Sequence, residues 1–363
     1  MMKIKVLRDD FLKCLQYVQH SVSSRSVMPI LSGVMLRAEG ERVRFYSTDL
    51  ESSTITFCGA NVEEEGSCVV NHKILFELFR DLREDKLALE MSGNELQVSG
   101  ENNVFKIFTM PIDDFPSPPE VNKPVVERMD NLLLARSVQA VSKAASRDEK
   151  RPTLTGIFMD FKESEVSLVS TDSYRLAVKK IREGFELAEK GSYIVPATPM
   201  QNFTRLLGGE DAVKIYRDES AGQLKFESGD VSFTIRLIDG KFPRYEQFIP
   251  ENTEKTLEVR KDELLSALKR ASLVNSTIRL NVEPGKLVLN SESKDVGEGR
   301  EIIPIDYEGE AVTIAFNGKF LEDGVNSVEG EVVVIGINES LKPGVIKEKD
   351  KEDFIYIIMP IRI

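Results

Sequence analysis

Short runs of alternating apolar and polar residues dominate the chain, and runs with helical spacing interrupt them. Residues 3–7 place Ile4 and Val6 on one face, which predicts a β-strand. A helix capped by Asp9 or Asp10 is predicted next, because apolar residues recur at helical spacing: Phe11, Leu12, Leu15 and Val18. Alternation at 33–38, 42–47 and 53–57 then predicts three strands. This stretch therefore predicts a β-α-β-β-β unit.

The following stretch repeats this order of elements. A strand at 68–70 leads to Asn71, a helix cap, and the helix after it carries apolar residues up to Leu82. Three more strands are predicted at 86–91, 95–99 and 104–109. The proline-rich run 114–119 then breaks the pattern. We therefore expect a first domain, 1–121, made of two β-α-β-β-β units.

Two sequence marks indicate that this domain is repeated. The tripeptide Ser-Thr-Asp begins at Ser47 and again at Ser170, 123 residues apart. The dipeptide Phe-Pro begins at Phe115 and again at Phe242, 127 residues apart. A third copy follows Pro250, although it has lost the Ser-Thr-Asp mark. The chain is therefore predicted to be an α+β protein of three tandem domains, 1–121, 127–250 and 255–363.

The later copies follow the same plan of strands and helices. Their predicted helices start at Asp130 or Asn131, span 199–207, start at Asp262 and span 317–328. The last predicted core strand is Phe354–Ile358, and the apolar stretch 359–363 comes after it. Apolar side chains at a chain end are able to line a surface groove, so we expect this stretch to contact a partner peptide.

Composition narrows the possible functions. The formal net charge is −12 and charged residues make up 30% of the chain, which argues against a simple basic DNA-binding domain but leaves room for a local basic surface. The three cysteines form no C-x-x-C pair, so neither a disulfide framework nor a zinc site is expected, as in a reducing cytoplasm. No signal peptide and no membrane-spanning segment is predicted.

Catalytic motifs are missing from the sequence. There is no phosphate-binding loop and no G-x-G-x-x-G motif, and only two histidines, His20 and His72, occur. Sixty acidic residues place some carboxylates side by side by chance, so a carboxylate-based hydrolase on a repeated β-rich scaffold stays an alternative with little support. A protein-only adaptor built from the repeats is a second alternative.

Basic residues recur on several predicted helices of this acidic chain. Arg136, Lys143 and Arg147 are spaced to share one face of the third predicted helix. Others are Lys73 and Arg80 on the second, Arg205 on the fourth, and Lys261, Lys269 and Arg270 on the fifth. On the sixth, Lys319 lies close to Glu322 and Asp323. Both a solvated helix face and a surface that meets phosphates without reading sequence fit this pattern.

Four motifs resemble those of the bacterial sliding clamps, the beta subunits of DNA polymerase III. They begin at Arg25 (Arg-Ser-Val-Met-Pro-Ile-Leu), Ser170 (Ser-Thr-Asp-Ser-Tyr-Arg-Leu-Ala-Val), Asp239 (Asp-Gly-Lys-Phe-Pro-Arg-Tyr) and Tyr356 (Tyr-Ile-Ile-Met-Pro-Ile-Arg-Ile). The resemblance covers the chain domain for domain. It implies a non-catalytic processivity factor in the cytoplasm, without a cofactor or metal. Two copies would close head to tail into a ring of six domains around duplex DNA.

The resemblance also implies functional residues. A peptide pocket for polymerases, the clamp loader and repair proteins would comprise Leu154, Thr171, Tyr174, Arg175, Leu176, Pro243, Phe248, Asn317, Phe320, Met359, Pro360, Ile361 and Arg362. DNA contacts would come from Arg25, Arg80, Arg147, Arg151 and Arg205. The dimer contact would pair Phe105 and Ile107 with Leu273 and Val274. The chain departs from the common family pattern at Ser173, Tyr174, Gln247, Ile361 and Ile363, and the sequence leaves its partner preference open.

Overall fold

A computed structural model describes residues 2–23, 28–208, 211–218 and 222–362. The strands of the first half are β1 Met2–Leu7, β2 Gly33–Glu39, β3 Arg42–Thr48, β4 Ser52–Glu64, β5 Gly66–Asn71, β6 Lys86–Ser92, β7 Glu95–Ser99, β8 Val104–Met110, β9 Lys123–Asp130, β10 Gly156–Lys162, β11 Glu165–Thr171, β12 Arg175–Ile181 and β13 Phe185–Leu187. Those of the second half are β14 Gly191–Pro196, β15 Ala212–Asp218, β16 Gln223–Ser228, β17 Val231–Arg236, β18 Lys255–Arg260, β19 Thr277–Glu283, β20 Lys286–Ser293, β21 Gly297–Pro304, β22 Val312–Asn317, β23 Val332–Ile337, β24 Gly344–Glu348 and β25 Phe354–Ile358. The α-helices are α1 Arg8–Val18, α2 His72–Asp81, α3 Asn131–Ser142, α4 Ala197–Thr204, α5 Lys261–Ala271 and α6 Gly318–Ser327.

Helix starts show where local sequence decides the structure and where it does not. Asn71 caps α2, as predicted, because its side-chain oxygen accepts a hydrogen bond from the Ile74 N–H at 3.2 Å. The predicted cap of α1 at Asp9 or Asp10 is wrong. That helix begins at Arg8, whose N–H donates to the carbonyl oxygen of Asp85 at 2.9 Å, so a backbone group from a distant loop satisfies the helix end.

One compact unit comprises residues Met1–Leu132, Phe185–Glu189 and Asn202–Leu237. Its single sheet has the strand order β1-β6-β7-β8-β5-β2-β3-β4-β17-β16-β15-β9-β13, and β1 also pairs with β4. Helices α1 and α2 pack together through Phe11 and Phe79, whose rings stack with centroids 4.2 Å apart, and Phe45 of β3 meets Phe11 edge-on at 4.6 Å. The sheet therefore wraps around a core that both helices share.

Strand β4 joins the first predicted domain to the second within this unit. It pairs antiparallel with β3 from Ser53 to Gly59, with β1 from Ala60 to Glu64, and with β17 from Ser52 to Ile55. The sheet thus continues without a gap from the first predicted domain into strands β15–β17 of the second. Backbone hydrogen bonds hold this junction, since each residue pair of the ladder satisfies groups that would otherwise need water.

The other compact unit comprises Leu133–Gly184, Lys190–Gln201 and Ile238–Ile363. Its larger sheet has the order β14-β10-β11-β12-β25-β24-β23-β18, and a smaller sheet has the order β21-β20-β19-β22. The pairing of β12 with β25 sets Leu176 opposite Ile357. The last core strand is confirmed, since β25 spans Phe354–Ile358. Strands β13 and β24 were not predicted, and the predicted domain boundaries stay a prediction.

We predict that Asn71→Ala lowers the free energy of unfolding by about 1 kcal/mol, because the Ile74 N–H loses its acceptor. Asn71→Ser is the matched control, since a serine hydroxyl is also able to accept this bond, and we expect a change of a few tenths of a kcal/mol at most. Urea unfolding followed by circular dichroism measures both. Equal losses for the two variants would show that the side-chain cap does not stabilise α2.

Candidate functional site

The Ser-Thr-Asp motif at 170–172 builds a hydrogen-bonded turn between β11 and β12. The Thr171 hydroxyl donates to the Arg175 carbonyl oxygen at 2.6 Å and accepts from the Ser173 N–H at 3.1 Å. The Asp172 carboxylate accepts from the Tyr174 and Arg175 N–H groups at 2.9 and 3.0 Å. Ser170 donates its hydroxyl to the carbonyl oxygen of Val141, at the end of α3. The motif therefore folds the turn and attaches it to a helix.

The first copy of the motif builds the same turn between β3 and β4. The Thr48 hydroxyl donates to the Ser52 carbonyl oxygen at 2.9 Å, and the Asp49 carboxylate accepts from the Ser52 N–H at 2.6 Å. Leu50 and Ser173, at equivalent positions, have φ angles of 74° and 79°, in the left-handed region. The two Ser-Thr-Asp segments therefore share a hydrogen-bonding pattern and a left-handed residue after the aspartate.

The two turns differ at the residue that follows them. Ser52 closes the first turn, whereas Arg175 closes the second, and only 10% of the Arg175 side chain is exposed. Its Nε donates to an Asp172 carboxylate oxygen at 3.0 Å, and its Nη1 donates to Asp323 on α6 at 2.7 Å. Two carboxylates from distant parts of the chain thus hold one buried guanidinium in place.

Aromatic groups complete the surroundings of Arg175. Its guanidinium lies over the Phe320 ring, 4.1 Å from the centroid, and its Nη1 donates to the Tyr356 hydroxyl oxygen at 3.4 Å. That hydroxyl donates in turn to the Phe320 carbonyl oxygen at 2.9 Å. Gly324 allows α6 to come this close, since a Cβ there would lie 2.6 Å from Cδ1 of Tyr356.

Arg175 and Tyr356 both have raised pKa values. Burial disfavours the charged guanidinium, but the neighbouring Tyr356 and Asp323 outweigh burial, so the pKa of Arg175 is raised. Burial also raises the pKa of the Tyr356 hydroxyl, which therefore stays protonated and able to donate. A permanent cation and a neutral phenol beside it fix a positive group at this place over the physiological pH range.

A cavity of about 160 Å³ opens beside Arg175. Its walls are Thr171, Ser173, Arg175, Leu176, Pro243, Tyr245, Phe248, Ile357 and Met359. A neighbouring cavity of about 300 Å³ is lined by Gln247, Phe248, Ile249, Pro250, Asn338, Lys342, Pro343, Ile357 and Met359. The two cavities share Phe248, Ile357 and Met359, so together they make one groove with two apolar subsites.

The structure brings six of the predicted pocket residues together in the smaller cavity: Thr171, Arg175, Leu176, Pro243, Phe248 and Met359. Tyr174 lies at the surface, and its carbonyl oxygen accepts a hydrogen bond from the Met359 N–H at 2.8 Å. Asn317 caps α6 by accepting from the Phe320 N–H, and Phe320 stacks on Arg175. These three residues shape the groove from outside the cavity wall.

Other predicted pocket residues lie away from the cavity. Leu154 is buried, whereas Arg362 is exposed. Pro360 is half-buried, and Ile361 donates its N–H to the Ala315 carbonyl oxygen at 2.8 Å, which attaches the chain end to β22. Ile363 lies outside the described residues. The cavity is also lined by Ser173, Tyr245 and Ile357, which were not predicted as pocket residues. Ile357 lies two residues before the apolar chain end at 359–363.

The predicted DNA-contacting arginines lie at different places. Arg25 is outside the described residues. Arg80 is exposed and paired with Asp81 at 3.1 Å, and Arg147 is exposed. Arg151 donates to Asp148 and to the Ser173 hydroxyl, at 3.2 and 3.0 Å. Arg205 is exposed and follows the end of α4.

The predicted basic face of the third helix is wrong. Helix α3 ends at Ser142, so Lys143 and Arg147 lie beyond it. After the helix, the Ala144 N–H donates to the Val141 carbonyl oxygen in a 3₁₀-type bond. The Ser146 N–H donates to the Leu154 carbonyl oxygen at 2.8 Å, which is not a helical hydrogen bond. The spacing of basic residues across this stretch is therefore not helical.

A basic cavity of about 460 Å³ was not foreseen. It is lined by Arg136, Gln139, Ala140, Lys143, Lys261, Asn326, Ser327, Val328 and Glu329. Lys261 donates to the carbonyl oxygens of Val328 and Asn326 at the end of α6, and burial lowers the pKa of its ammonium group. Three cations thus gather between α3, α5 and α6.

The predicted dimer residues lie on strand β8 and in the turn after α5, and they differ in exposure. Phe105 is exposed on β8, next to Phe108, which is 72% exposed, while Ile107 is 8% exposed and packs inside the unit. Leu273, after α5, is 78% exposed, and Val274 beside it is half-buried. The first residues of β8 pair with β7 on one side, whereas only Thr109 and Met110 pair with β5 on the other. Within the described residues, one edge of β8 therefore keeps unpaired backbone groups.

Metal and membrane chemistry find no support in the part of the chain that the structure describes. No three His, Cys, Asp or Glu residues there are grouped to hold a metal ion. The cysteines Cys14, Cys58 and Cys68 are all free and buried. None of the described helices combines the length and the apolar character needed to cross a membrane.

Comparisons with known proteins agree from one end of the chain to the other. Models of the DNA polymerase III beta subunit match at 2–119 (N-terminal domain), 128–244 (central domain) and 246–362 (C-terminal domain). The beta sliding clamp homolog GriR of Streptomyces muensis is 30% identical, with 99% of each chain covered. A sliding clamp from Bacillus subtilis is 26% identical with a TM-score of 0.93, covering 100% of this chain and 99% of that one. A Pseudomonas aeruginosa clamp solved bound to griselimycin is also 26% identical with a TM-score of 0.93, and all of both chains is covered.

We predict that Asp323→Asn lowers the free energy of unfolding by about 2–4 kcal/mol, because it removes one of the two carboxylates that compensate the buried Arg175. Glu322→Gln is the matched control on the same helix, since its partner Lys319 is exposed, and we expect a change within about 0.5 kcal/mol. Urea unfolding of both variants provides the comparison. A loss for Asp323→Asn no larger than for Glu322→Gln would mean that Arg175 does not depend on this contact.

Proposed function

This chain belongs to the DNA polymerase III beta subunit family, the bacterial sliding clamps, and we propose that two copies of it close into a ring around duplex DNA. As a sliding clamp it is a non-catalytic processivity factor of DNA replication. Neither the hydrolase nor the adaptor alternative is favoured by these relationships. The proposal concerns the homodimer, its contacts with DNA and the partners that bind its groove, in the cytoplasm.

An acidic protein is able to hold DNA when it does so by topology. A closed ring cannot leave a circular duplex, so the contacts with phosphates need only be weak and independent of sequence. The net charge of −12 then keeps most of the surface from binding DNA without reducing retention. The cations of the basic cavity, Arg136, Lys143 and Lys261, would meet phosphates locally, together with the predicted Arg25, Arg80, Arg147, Arg151 and Arg205.

Two free strand edges support a head-to-tail dimer. Strand β8 presents exposed Val104, Phe105 and Phe108 beside its unpaired backbone groups. Strand β21 is the last strand of its sheet and presents exposed Ile302. Leu273, in the turn after α5, is also exposed. We propose that β8 of one subunit pairs with β21 of the other, which buries both apolar sets and satisfies both edges.

The groove with two subsites is the proposed binding site for partner proteins. Leu176, Ile357 and Met359 give its smaller cavity an apolar lining, while Arg175 offers a fixed cation at the wall. A short peptide with two neighbouring apolar side chains would fill the two cavities, and the arginine would donate a hydrogen bond to a carbonyl or carboxylate oxygen of that peptide. We propose that the replicative polymerase, the clamp loader and repair proteins bind here through such motifs.

Relatives support a ligand site in this family. The Pseudomonas aeruginosa clamp that resembles this chain was solved with griselimycin bound. The chain departs from the common family pattern at Ser173, Tyr174 and Gln247, and both Ser173 and Gln247 line the groove. We therefore propose that its preference among peptides differs from that of relatives with the common pattern.

We predict that Leu273→Glu converts the dimer to a monomer. The charge would enter both identical contacts of the ring, and a loss of about 2 kcal/mol at each weakens the dimer roughly a thousandfold. Light scattering after size exclusion at micromolar concentration measures the mass. Leu341→Glu, at another exposed leucine, is the control and should remain dimeric. A monomeric wild type, or a dimeric Leu273→Glu variant, would contradict the proposed contact.

We predict that Met359→Asp weakens binding of a fluorescein-labelled peptide containing a Leu-Phe pair at least tenfold, because Met359 lines both subsites and a carboxylate there loses its hydration. Fluorescence polarisation measures the affinity, and light scattering should still give a dimer. Leu50→Asp is the matched control, since Leu50 occupies the corresponding turn of the first copy. Unchanged affinity for Met359→Asp would refute the assignment of the groove.

A further inference from the structure

Three arginines lie together on one face of the sheet in the first compact unit. Val43 and Phe45 of β3 belong to the core under α1 and α2, so Arg42 and Arg44, which alternate with them, point to the opposite face. The β2–β3 ladder sets Arg37 directly opposite Arg44. We refer to Arg37, Arg42 and Arg44 as the arginine patch. It shares no residue with the peptide groove or with the basic cavity.

The cations of the patch have few anionic partners. Glu39 pairs with Arg37 at 3.3 Å, yet the Arg37 side chain is still 56% exposed. Arg42 is exposed, and Arg44 is half-buried with its Nε atom enclosed. Within the described residues, neither Arg42 nor Arg44 pairs with a carboxylate. The patch therefore carries more positive charge than the chain around it neutralises.

This arrangement is unfavourable unless an anion lies nearby. Like charges on directly opposite residues of an antiparallel pair repel each other, as Arg37 and Arg44 do here. Burial and the charges of Arg37 and Arg42 lower the pKa of Arg44. A bound anion would relieve the repulsion among all three guanidinium groups.

The second copy of the domain shows that the fold does not require this charge pattern. The two Ser-Thr-Asp turns are 123 residues apart, and at the same offset Asp160 stands for Arg37 and Glu165 for Arg42. The register agrees, since Lys162 lies opposite Glu165 on β10 and β11 as Glu39 lies opposite Arg42 on β2 and β3. The signs of the charges are therefore reversed at matching places.

In the second copy these charges compensate one another. Asp160 and Lys162 form an ion pair at 2.7 Å. Glu165 pairs with Lys180 at 3.4 Å and with Arg182 at 3.2 Å. The same sheet position thus holds a balanced set of ion pairs in one copy and an excess of cations in the other.

The surface beside Arg42 is open to a ligand. Its guanidinium lies over the Phe57 ring, 4.5 Å from the centroid, so the ring covers one flat side of the group. The N–H groups at the edge of a stacked guanidinium remain able to donate to a carboxylate. Gly59 lies opposite Arg42 on β4, and a Cβ built there would meet no atom within 4 Å.

We propose that the arginine patch binds an acidic segment of a partner protein through the carboxylates of neighbouring Asp or Glu side chains. Arg42 donates two parallel hydrogen bonds to one carboxylate, and Arg37 donates to a second. Arg44 holds both carboxylates by its charge. The site goes beyond the clamp function and depends neither on the ring nor on the peptide groove.

A short acidic peptide fits this patch better than nucleic acid does. Duplex DNA carries about one charge per 1.7 Å of its length, so a bound duplex would extend past the patch. The chain has a net charge of −12, and Glu65 stands at the end of the patch, where it accepts the Gly40 N–H at 2.9 Å. A segment with two or three carboxylates contacts the cations alone.

Fluorescence polarisation with the intact protein tests the proposal. The probe is a fluorescein-labelled Gly-Glu-Asp-Glu-Asp-Gly peptide, and the control peptide, Gly-Gln-Asn-Gln-Asn-Gly, has the same shape without the charges. We expect saturable binding of the acidic peptide at low salt and none of the control peptide. Added sodium chloride should weaken the binding, because the charges are near the surface.

The variant Arg37→Gln/Arg42→Gln should weaken binding of the acidic peptide at least tenfold, since its charge-assisted hydrogen bonds are lost. Lys162→Gln/Lys180→Gln is the matched control, because it removes the same charge from the corresponding place in the second copy, and we expect a change within about twofold. Glu39→Gln should strengthen binding about threefold, since it releases Arg37. A purely structural role of these residues would not produce this gain.

Four results would overturn the proposal. One is the absence of saturable binding to the wild-type protein, and another is equal binding of the control peptide. A third is undiminished affinity in Arg37→Gln/Arg42→Gln when circular dichroism shows a native melting transition. The last is displacement of the labelled peptide by a short DNA duplex at lower concentration than by unlabelled acidic peptide, which would assign the patch to nucleic acid.

Discussion

Backbone hydrogen bonds across the domain junctions are the constraint on which the remaining structure depends. Strand β17 extends the first domain's sheet at β4, and β25 extends the second domain's sheet at β12. Each ladder begins directly after a Ser-Thr-Asp turn, so each junction sets a turn, a Phe-Pro segment and a paired strand around one hollow. The chain therefore contains the same arrangement of turn, Phe-Pro segment and paired strand at both junctions.

The side chains at the two junctions differ in chemistry. At the second junction, Arg175 is held by Asp172 and by Asp323, and the opposing strand contributes Ile357. The cost of burying the guanidinium is compensated only because both carboxylates and the Phe320 ring are in place. Ser52, at the corresponding position of the first junction, donates its hydroxyl to Asp49 within the turn and needs no such support.

Local patterns in the sequence predicted most strands, the helix cap at Asn71 and the repeated order of strands and helices. They succeed because alternation and capping depend on only a few neighbouring residues. Long-range contacts explain the failures. Helix α1 starts at a carbonyl oxygen of Asp85, and α3 ends where Ser146 turns to Leu154. Likewise, Ile357 belongs to the cavity wall because sheet register sets it opposite Leu176, a contact that local periodicity cannot reveal. The resemblance to the clamps supplied the pocket residues, of which the geometry gathers Thr171, Arg175, Leu176, Pro243, Phe248 and Met359.

Retention on DNA by topology is the central claim, and plasmid release measures it most directly. The protein is assembled on nicked circular plasmid with a clamp loader, isolated by gel filtration, and then treated with a restriction enzyme that cuts the plasmid once. We expect it to elute with the circular DNA and to leave the same DNA after linearisation, because weak phosphate contacts alone do not hold it. Protein that stays on the linear DNA, or that never remains with the circle, would contradict the account.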